Sequence, residues 1–265
     1  MNVLENKVMM EIRGLNKEFT QNDEKLQALQ NVDLDVVEGE FLCLVGPSGC
    51  GKTTFLRIVQ GLIEKTSGSI ELYGQPITQR SSADRGFVFQ QDNLYPWRTV
   101  IANTRLGLEL AGMDTNEADA KAMEMLKLVG LEGFEKSYPR ELSGGMRQRV
   151  NLARALTIDP KVLLMDEPFA ALDAITREAM QTELLRIWRE AGKTVMFVTH
   201  QIDEAVYLAN RVVVMAPRPG RIEKIVTITE TTVRSEDVKR SPEFHQAVDE
   251  IRDIIESHER EDIMT

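Results

Sequence analysis

Phe41-Leu42-Cys43-Leu44-Val45-Gly46-Pro47-Ser48-Gly49-Cys50-Gly51-Lys52-Thr53-Thr54 is the stretch that decides the fold. Its apolar opening has no polar residue alternating with it, so it reads as a strand buried on both faces. Gly46 to Thr53 then follow the spacing Gly-x-x-x-x-Gly-Lys-Thr, a P-loop. Glycines let the main chain close around phosphate oxygens. Its N–H groups, and the start of the helix that Thr54-Phe55-Leu56-Arg57-Ile58-Val59 implies, face those anions. Lys52 brings a point charge to the β- and γ-phosphates, and Thr53 offers a hydroxyl to Mg²⁺. Gly46, Pro47, Ser48, Gly49, Cys50, Gly51, Lys52, Thr53 and Thr54 are therefore candidate nucleotide-binding residues. A glycine turn before an ordinary helix is the plainer alternative.

Three more short apolar runs resemble the first: Phe87-Val88-Phe89, Val162-Leu163-Leu164-Met165 and Val195-Met196-Phe197-Val198. Each reads as a buried parallel strand, and each ends in a polar signal: Gln90, Asp166-Glu167 and Thr199-His200. In an open α/β sheet, ligands sit beyond the carboxyl ends of the strands. Two adjacent carboxylates at such an end suit phosphoryl transfer, with Asp166 holding the metal ion and Glu167 orienting the attacking water. A helix cap is the alternative for that pair, and a structural role is the commoner reading of a lone histidine such as His200.

Composition bounds the rest. The 265 residues carry a formal net charge of −10 and are 42% hydrophobic, enough for a large domain with a sizeable core. The acidity argues against nucleic acid as a general partner. It also means that Lys52, backbone N–H groups and a metal ion must supply the local positive potential for a polyanionic nucleotide. Met1–Lys7 carries charge and lacks a long apolar run, so no signal peptide is expected. No uninterrupted apolar stretch approaches ~20 residues, so no membrane span is expected either. Cys43 and Cys50 belong to a strand and a P-loop rather than to a disulfide framework, which fits a reducing cytoplasm.

Met9 to Gly14, Ala28 to Val37 and Gly68 to Tyr73 are punctuated by Gly and Asp and read as antiparallel strands flanking the main sheet. From about Trp97 to Arg140 the character turns helical: Leu106, Leu110, Met123, Leu126 and Leu128 lie among Ala, Glu and Lys, predicting two or three packed helices. After Arg221 comes a β-like piece, Ile225-Val226-Thr227-Ile228. A last helix then starts at Ser241-Pro242, with Phe244, Val248, Ile251 and Ile255 on one face.

In Leu142-Ser143-Gly144-Gly145-Met146 the serine and two glycines precede the helical run Met146 to Arg154 and make a second anion site at a helix start; taken alone they are a plain N-cap. With the P-loop and Leu163-Leu164-Met165-Asp166-Glu167, they make the chain resemble an ATP-binding cassette (ABC) ATPase over about Val8 to Ile222. The resemblance implies a P-loop NTPase (RecA-like) α/β fold: a parallel sheet core, an N-terminal antiparallel β subdomain and an inserted α-helical subdomain. The implied domains are 1–222, with the helical insert at about 92–157, and a short extension, 223–265, carrying the terminal helix. It also implies that Ser143, Gly144 and Gly145 close on the ATP held by the other subunit of a head-to-tail homodimer. Gln90 becomes the residue that reaches Mg²⁺ and the water, and Asp173 the one that crosses to the partner. His200 would contact the γ-phosphate, and Phe19 would stack on adenine, although core packing competes for that ring. Gln201 stands where the family usually has Asp. The implied cofactors are ATP and Mg²⁺.

Two stretches narrow the resemblance. Asp92-Asn93-Leu94-Tyr95-Pro96-Trp97-Arg98-Thr99-Val100 looks like the nitrate/sulfonate/taurine-type importers, as does Glu204 to Arg211 with Met215-Ala216-Pro217-Arg218-Pro219-Gly220-Arg221-Ile222. An exposed Tyr95 and Trp97 would suit a groove receiving a short permease helix; packing inside the lobe is the alternative. The implied partners are integral membrane permease subunits and, indirectly, a solute-binding protein. The implied location is the cytoplasmic face of the cell membrane. A soluble ABC ATPase acting in iron–sulfur cluster assembly is the alternative function. A non-ABC P-loop kinase is disfavoured because it has no use for Ser143–Gly145.

Overall fold

In a computed structural model of the chain, residues 7–21, 24–77, 83–228 and 236–263 are described. They form two compact units: Met1–Ser81 with Thr194–Thr265, and Ser82–Lys193.

The first unit opens with two long strands, β1 (Val8–Gln21) and β2 (Glu24–Val37), paired antiparallel with Ile12 opposite Leu34. Strand β3 (Phe41–Val45) leads into helix α1 (Lys52–Gln60), and β4 (Ser67–Leu72) and β5 (Gln75–Pro76) follow. One antiparallel sheet has the order β2-β1-β4-β5. Ile12, Leu34, Val36, Ile70 and Leu72 are buried while their neighbours along each strand are less so, the alternation of a sheet with one covered face. The flanking β subdomain expected from sequence is present, with strands longer than the apolar segments suggested.

The next elements of this unit come after the second unit in the chain. They are β8 (Thr194–Val198), α7 (Ile202–Leu208), β9 (Arg211–Ala216) and β10 (Arg221–Thr227). Strand β3 lies between β8 and β9 and is parallel to both, and β10 runs antiparallel beside β9. Every residue of β3 and β8 is buried, as a strand covered on both faces requires. Glu40, just before β3, is buried too: its carboxylate accepts the N–H of Val37 at 2.7 Å and pairs with Arg211 at 3.2 Å. Burial pushes that carboxyl above its ordinary range against both partners.

The second unit contains β6 (Arg85–Val88), α2 (Val100–Thr104), α3 (Leu106–Leu110) and α4 (Thr115–Leu128). After these come α5 (Gly144–Thr157), β7 (Val162–Asp166) and α6 (Ala174–Ala191). Strands β6 and β7 are parallel, with Val88 opposite Met165. The helices between them in sequence pack around α5, which touches α2, α3 and α4. Of the large apolar residues that mark these helices in the sequence, Leu126 is buried, Leu106 and Leu128 are half-buried, and two are exposed. Leu110 is 81% exposed and Met123 is exposed, while Leu108, Ala118, Ala122 and Leu126 are buried. Close helix packing favours small residues on α4, which places Met123 outside.

The chain ends with α8 (Pro242–Ile263), capped by the Ser241 hydroxyl, which accepts the Phe244 N–H at 3.2 Å. Phe244, Val248 and Ile251 are buried and α8 packs on α7 and β9; Ile255 is half-buried. Strand β10 runs through residue 222, where the sequence reading ended the main domain. Among the described residues, no helix is long and apolar enough to cross a membrane.

Candidate functional site

In the first unit the P-loop follows β3 directly. Gly51 caps α1 in the left-handed region, φ 92, so a side chain there is strained at the point where the loop turns into the helix. The Lys52 ammonium is buried and donates to the carbonyls of Gly46 at 2.7 Å and Pro47 at 2.9 Å. Ser48 and Gly49 are exposed, and Thr53 and Thr54 half-buried, at the first turn of α1. His200 is exposed two residues beyond the end of β8, the parallel neighbour of β3. The Thr199 N–H donates to the Leu44 carbonyl at 3.2 Å, which ties the His200 strand end to the strand feeding the P-loop. Lysine, loop N–H groups and histidine thus share one end of one sheet, the arrangement expected for an anion held beyond parallel strands. Phe19 lies on β1 with 37% of its surface exposed, under the Lys17 ammonium at 4.7 Å, so the ring has a free face rather than a place in the core.

In the second unit Gln90 and Asp166-Glu167 occupy equivalent places, just beyond β6 and at the end of β7. Asp166 is buried, Glu167 half-buried and Gln90 exposed. Glu167 has a left-handed backbone, φ 45. For a residue with a Cβ that costs about 1–2 kcal/mol, the kind of strain that collects at functional turns. Phe87 and Phe89 are half-buried with rings 4.5 Å apart, so this strand is less covered than its apolar sequence suggested.

Ser143 and Gly144 are exposed at the N-terminus of α5. The Ser143 hydroxyl accepts the N–H of Met146 at 3.3 Å, so Ser143 is also the N-cap of its helix. Asp173 caps α6 in the same way, accepting the Thr176 N–H at 3.0 Å and its hydroxyl at 2.7 Å. Those bonds, the backbone one first, hold its carboxyl below the ordinary range. The two exposed caps carry both the serine-glycine run and Asp173 on helix starts of one unit.

Tyr95 and Trp97 project from the loop after Gln90; Trp97 is 71% exposed, and the rings stack at 5.1 Å. Packing inside the lobe is therefore excluded for Trp97. The pair stands on a rigid base: the fully buried side chain of Asn103 accepts the Tyr95 N–H at 2.8 Å and donates to the carbonyls of Tyr95, Arg98 and Thr99.

A sequence profile described as ABC transporter matches residues 29–170. The chain belongs to the ABC transporter family. It is similar to the taurine import ATP-binding protein TauB of Rhizobium johnstonii, 47% identical across 88% of this chain and 91% of that protein. It is also similar to the nitrate import ATP-binding protein NrtD of Synechocystis, 45% identical across 96% and 97% of the two chains. Among solved structures, a dimeric ATP-binding cassette in a post-hydrolysis state with ADP and phosphate superposes with a TM-score of 0.73. It is 35% identical over 84% of this chain and 100% of that one. The activity of the chain is that of the ABC ATP-binding proteins, an ATPase.

This ABC chain also contains site residues that sequence reasoning passed over. Gly220, at the β9–β10 turn, lies against the P-loop; a Cβ on it would fall 2.1 Å from the Cys50 carbonyl oxygen. Gly220 is joined to β2 as well, through the N–H of Gln30 at 2.8 Å and the carbonyl of Ala28 at 3.1 Å. Asn103, an amide fully buried on α2 beside Val100 and Thr104, is a residue that sequence reasoning passed over and that holds the Tyr95–Trp97 loop.

Proposed function

We propose that the chain is the ATP-hydrolysing subunit of an importer for a small solute of the nitrate, sulfonate or taurine kind. In this reading two copies close head to tail, each ATP lying between the P-loop of one and Ser143–Gly145 of the other. Lys52 and the loop N–H groups hold the phosphates, Phe19 stacks on adenine, and His200 contacts the γ-phosphate. Glu167 orients and polarises the attacking water, and Asp173 crosses to the partner. The donor set offered to a metal is all oxygen: the Thr53 hydroxyl, the Asp166 carboxylate and the Gln90 amide. That suits Mg²⁺, which is bound through one or two carboxylates together with phosphate oxygens. Held by these residues, Mg²⁺ would supply positive charge against the phosphates.

The observation that carries the transport reading is the Tyr95–Trp97 pair: two exposed, stacked aromatics on a base fixed by Asn103. Exposed aromatics of this kind are typical anchors for a partner helix, here a cytoplasmic helix of a separate permease. The protein would then work on the cytoplasmic face of the membrane, a solute-binding protein meeting the permease on the other side. The names of the taurine and nitrate import relatives support the solute class. Capture of the permease encoded in the same gene neighbourhood from detergent-solubilised membranes tests it. Trp97→Glu should lower capture by about tenfold or more, as loss of a central aromatic anchor does, with the melting temperature as control of the fold. Undiminished capture by Trp97→Glu contradicts this docking face.

A further inference from the structure

We propose that Arg147 and Asp92 form a positioning link through which the segment around Gln90 sets the place of the signature run Leu142–Gly145. The inference rests on the reading of that run as the closure of a neighbour's ATP site. All of the residues concerned lie in the second unit.

Arg147 stands in the first turn of α5, immediately after the run. Its Nε donates to Asp92 Oδ2 at 2.9 Å, and its Nη1 donates to the carbonyl of Leu142 at 2.8 Å. One planar guanidinium thus spans a carboxylate of the loop after Gln90 and the main chain that leads into Ser143. A lysine ammonium, a single point, lacks the rigid fork that holds both at once. The other Asp92 oxygen accepts the N–H of Leu94 at 3.3 Å, so the carboxylate is itself fixed to its loop.

Two further side chains of α5 grip the same segment. Arg154 Nη1 donates to the Asn93 carbonyl and its Nη2 to the Asp92 carbonyl, both at 2.9 Å. Asn151, fully buried, donates to the Phe89 carbonyl at 3.4 Å. Arg147, Asn151 and Arg154 are spaced i, i+4 and i+7 and so occupy one helix face. Together they hold the chain on both sides of Gln90. Of the three, Arg147 alone also bonds the lead into the signature.

The side chains of Arg147 and Asp92 are 36% and 32% exposed, and an ion pair so placed contributes little to stability. Its consequence is geometric. When the loop carrying Tyr95 and Trp97 shifts, Asp92 shifts with it, and Arg147 passes the displacement to Leu142 and the Ser143 cap. The signature reaches a second copy in the right place only while this link is made.

The test uses the full chain. In a Glu167→Gln parent, ATP-dependent dimerisation is measured by light scattering for Asp92→Asn, Arg147→Met and the double variant. Binding of a fluorescent ATP analogue and melting temperature are followed in parallel. Each single change should weaken dimerisation by about tenfold, and the double variant should be no worse than either single one, because both break one unit. Affinity for the analogue, held by the P-loop, should stay within about twofold, and with Glu167 restored kcat should fall while KM holds. Asp92→Asn keeps the oxygen that accepts the Leu94 N–H, so it remains a usable probe if Arg147→Met folds poorly. Dimerisation at the parent's concentrations, additive losses, or a parallel loss of analogue binding overturns the link alone. A parent that stays monomeric with ATP overturns the underlying reading as well.

Discussion

Gly220 meets the main chain of the P-loop where any side chain would collide, its virtual Cβ lying 2.1 Å from the Cys50 oxygen and 2.8 Å from the Ala28 oxygen. The atoms in the way are backbone, so neither can rotate aside. Gly220→Ala is expected to cost about 1–3 kcal/mol in stability, the usual range for overpacking. It should also weaken ATP binding, because the shift falls on the loop that holds the phosphates. Thermal unfolding with and without ATP measures both; equal stabilisation of variant and wild type by ATP would show that the turn does not position the loop. The P-loop itself, Asp166-Glu167 and Ser143-Gly144-Gly145 were legible because their chemistry demands fixed residue types in unbroken runs of sequence. Gly220 was not, since the atom that forbids its side chain belongs to Cys50, far away in the chain. The left-handed backbone of Glu167 was equally hidden: nothing in Met165-Asp166-Glu167-Pro168 announces a positive φ of 45.

Helix α6 is tied to the end of α4 by Arg186. Its guanidinium bonds the Leu128 carbonyl, both oxygens of Glu183 at 2.8 and 3.1 Å, and Glu190 at 2.6 Å. The Arg186 bond, first among the causes, holds the Glu183 carboxyl below the ordinary value of 4.5. A carboxylate whose pKa is lowered by folding adds stability above its unfolded pKa and loses it as pH falls through the folded one. Glu183→Gln should therefore cost up to about 1 kcal/mol at neutral pH, the range for a partly exposed pair. The gap to wild type should close as pH drops below 4.5. Urea unfolding across that range checks it, and a gap that widens in acid contradicts the assignment. At this scale the sequence was readable where period and composition agreed. The wholly apolar β3, β7 and β8 were found, and so was α8 with its serine cap. The inserted helices were recognised, but their large apolar residues did not by themselves mark the inner face. Leu110 and Met123 are exposed while Ala118 and Ala122 are buried, because close helix approach selects small side chains that a hydrophobicity pattern ranks low. Strand β9 was passed over, its apolar run overshadowed by the turn that follows it.

For the whole molecule, a net charge of −10 must coexist with the capture of a polyanion. The positive potential is accordingly local: a buried Lys52, the N–H groups of one loop and helix starts. Each of the two units carries candidate site residues at strand ends or helix caps. In the first these are the P-loop and His200; in the second, Gln90, Asp166-Glu167 and the Ser143 cap. The ABC family to which the chain belongs, and the dimeric cassette it resembles over 84% of its length, support reading the P-loop of one copy and Ser143–Gly145 of another as the two sides of one site. That pairing is the central claim, because it turns an ATPase into a clamp whose closing can be coupled to transport. Glu167→Gln isolates it by leaving the proposed binding groups in place while removing the carboxylate proposed to polarise the water. The deciding measurement is light scattering of this variant with and without ATP. The account predicts a monomer that doubles in mass on adding ATP with negligible phosphate release; a variant that binds ATP yet remains monomeric contradicts it.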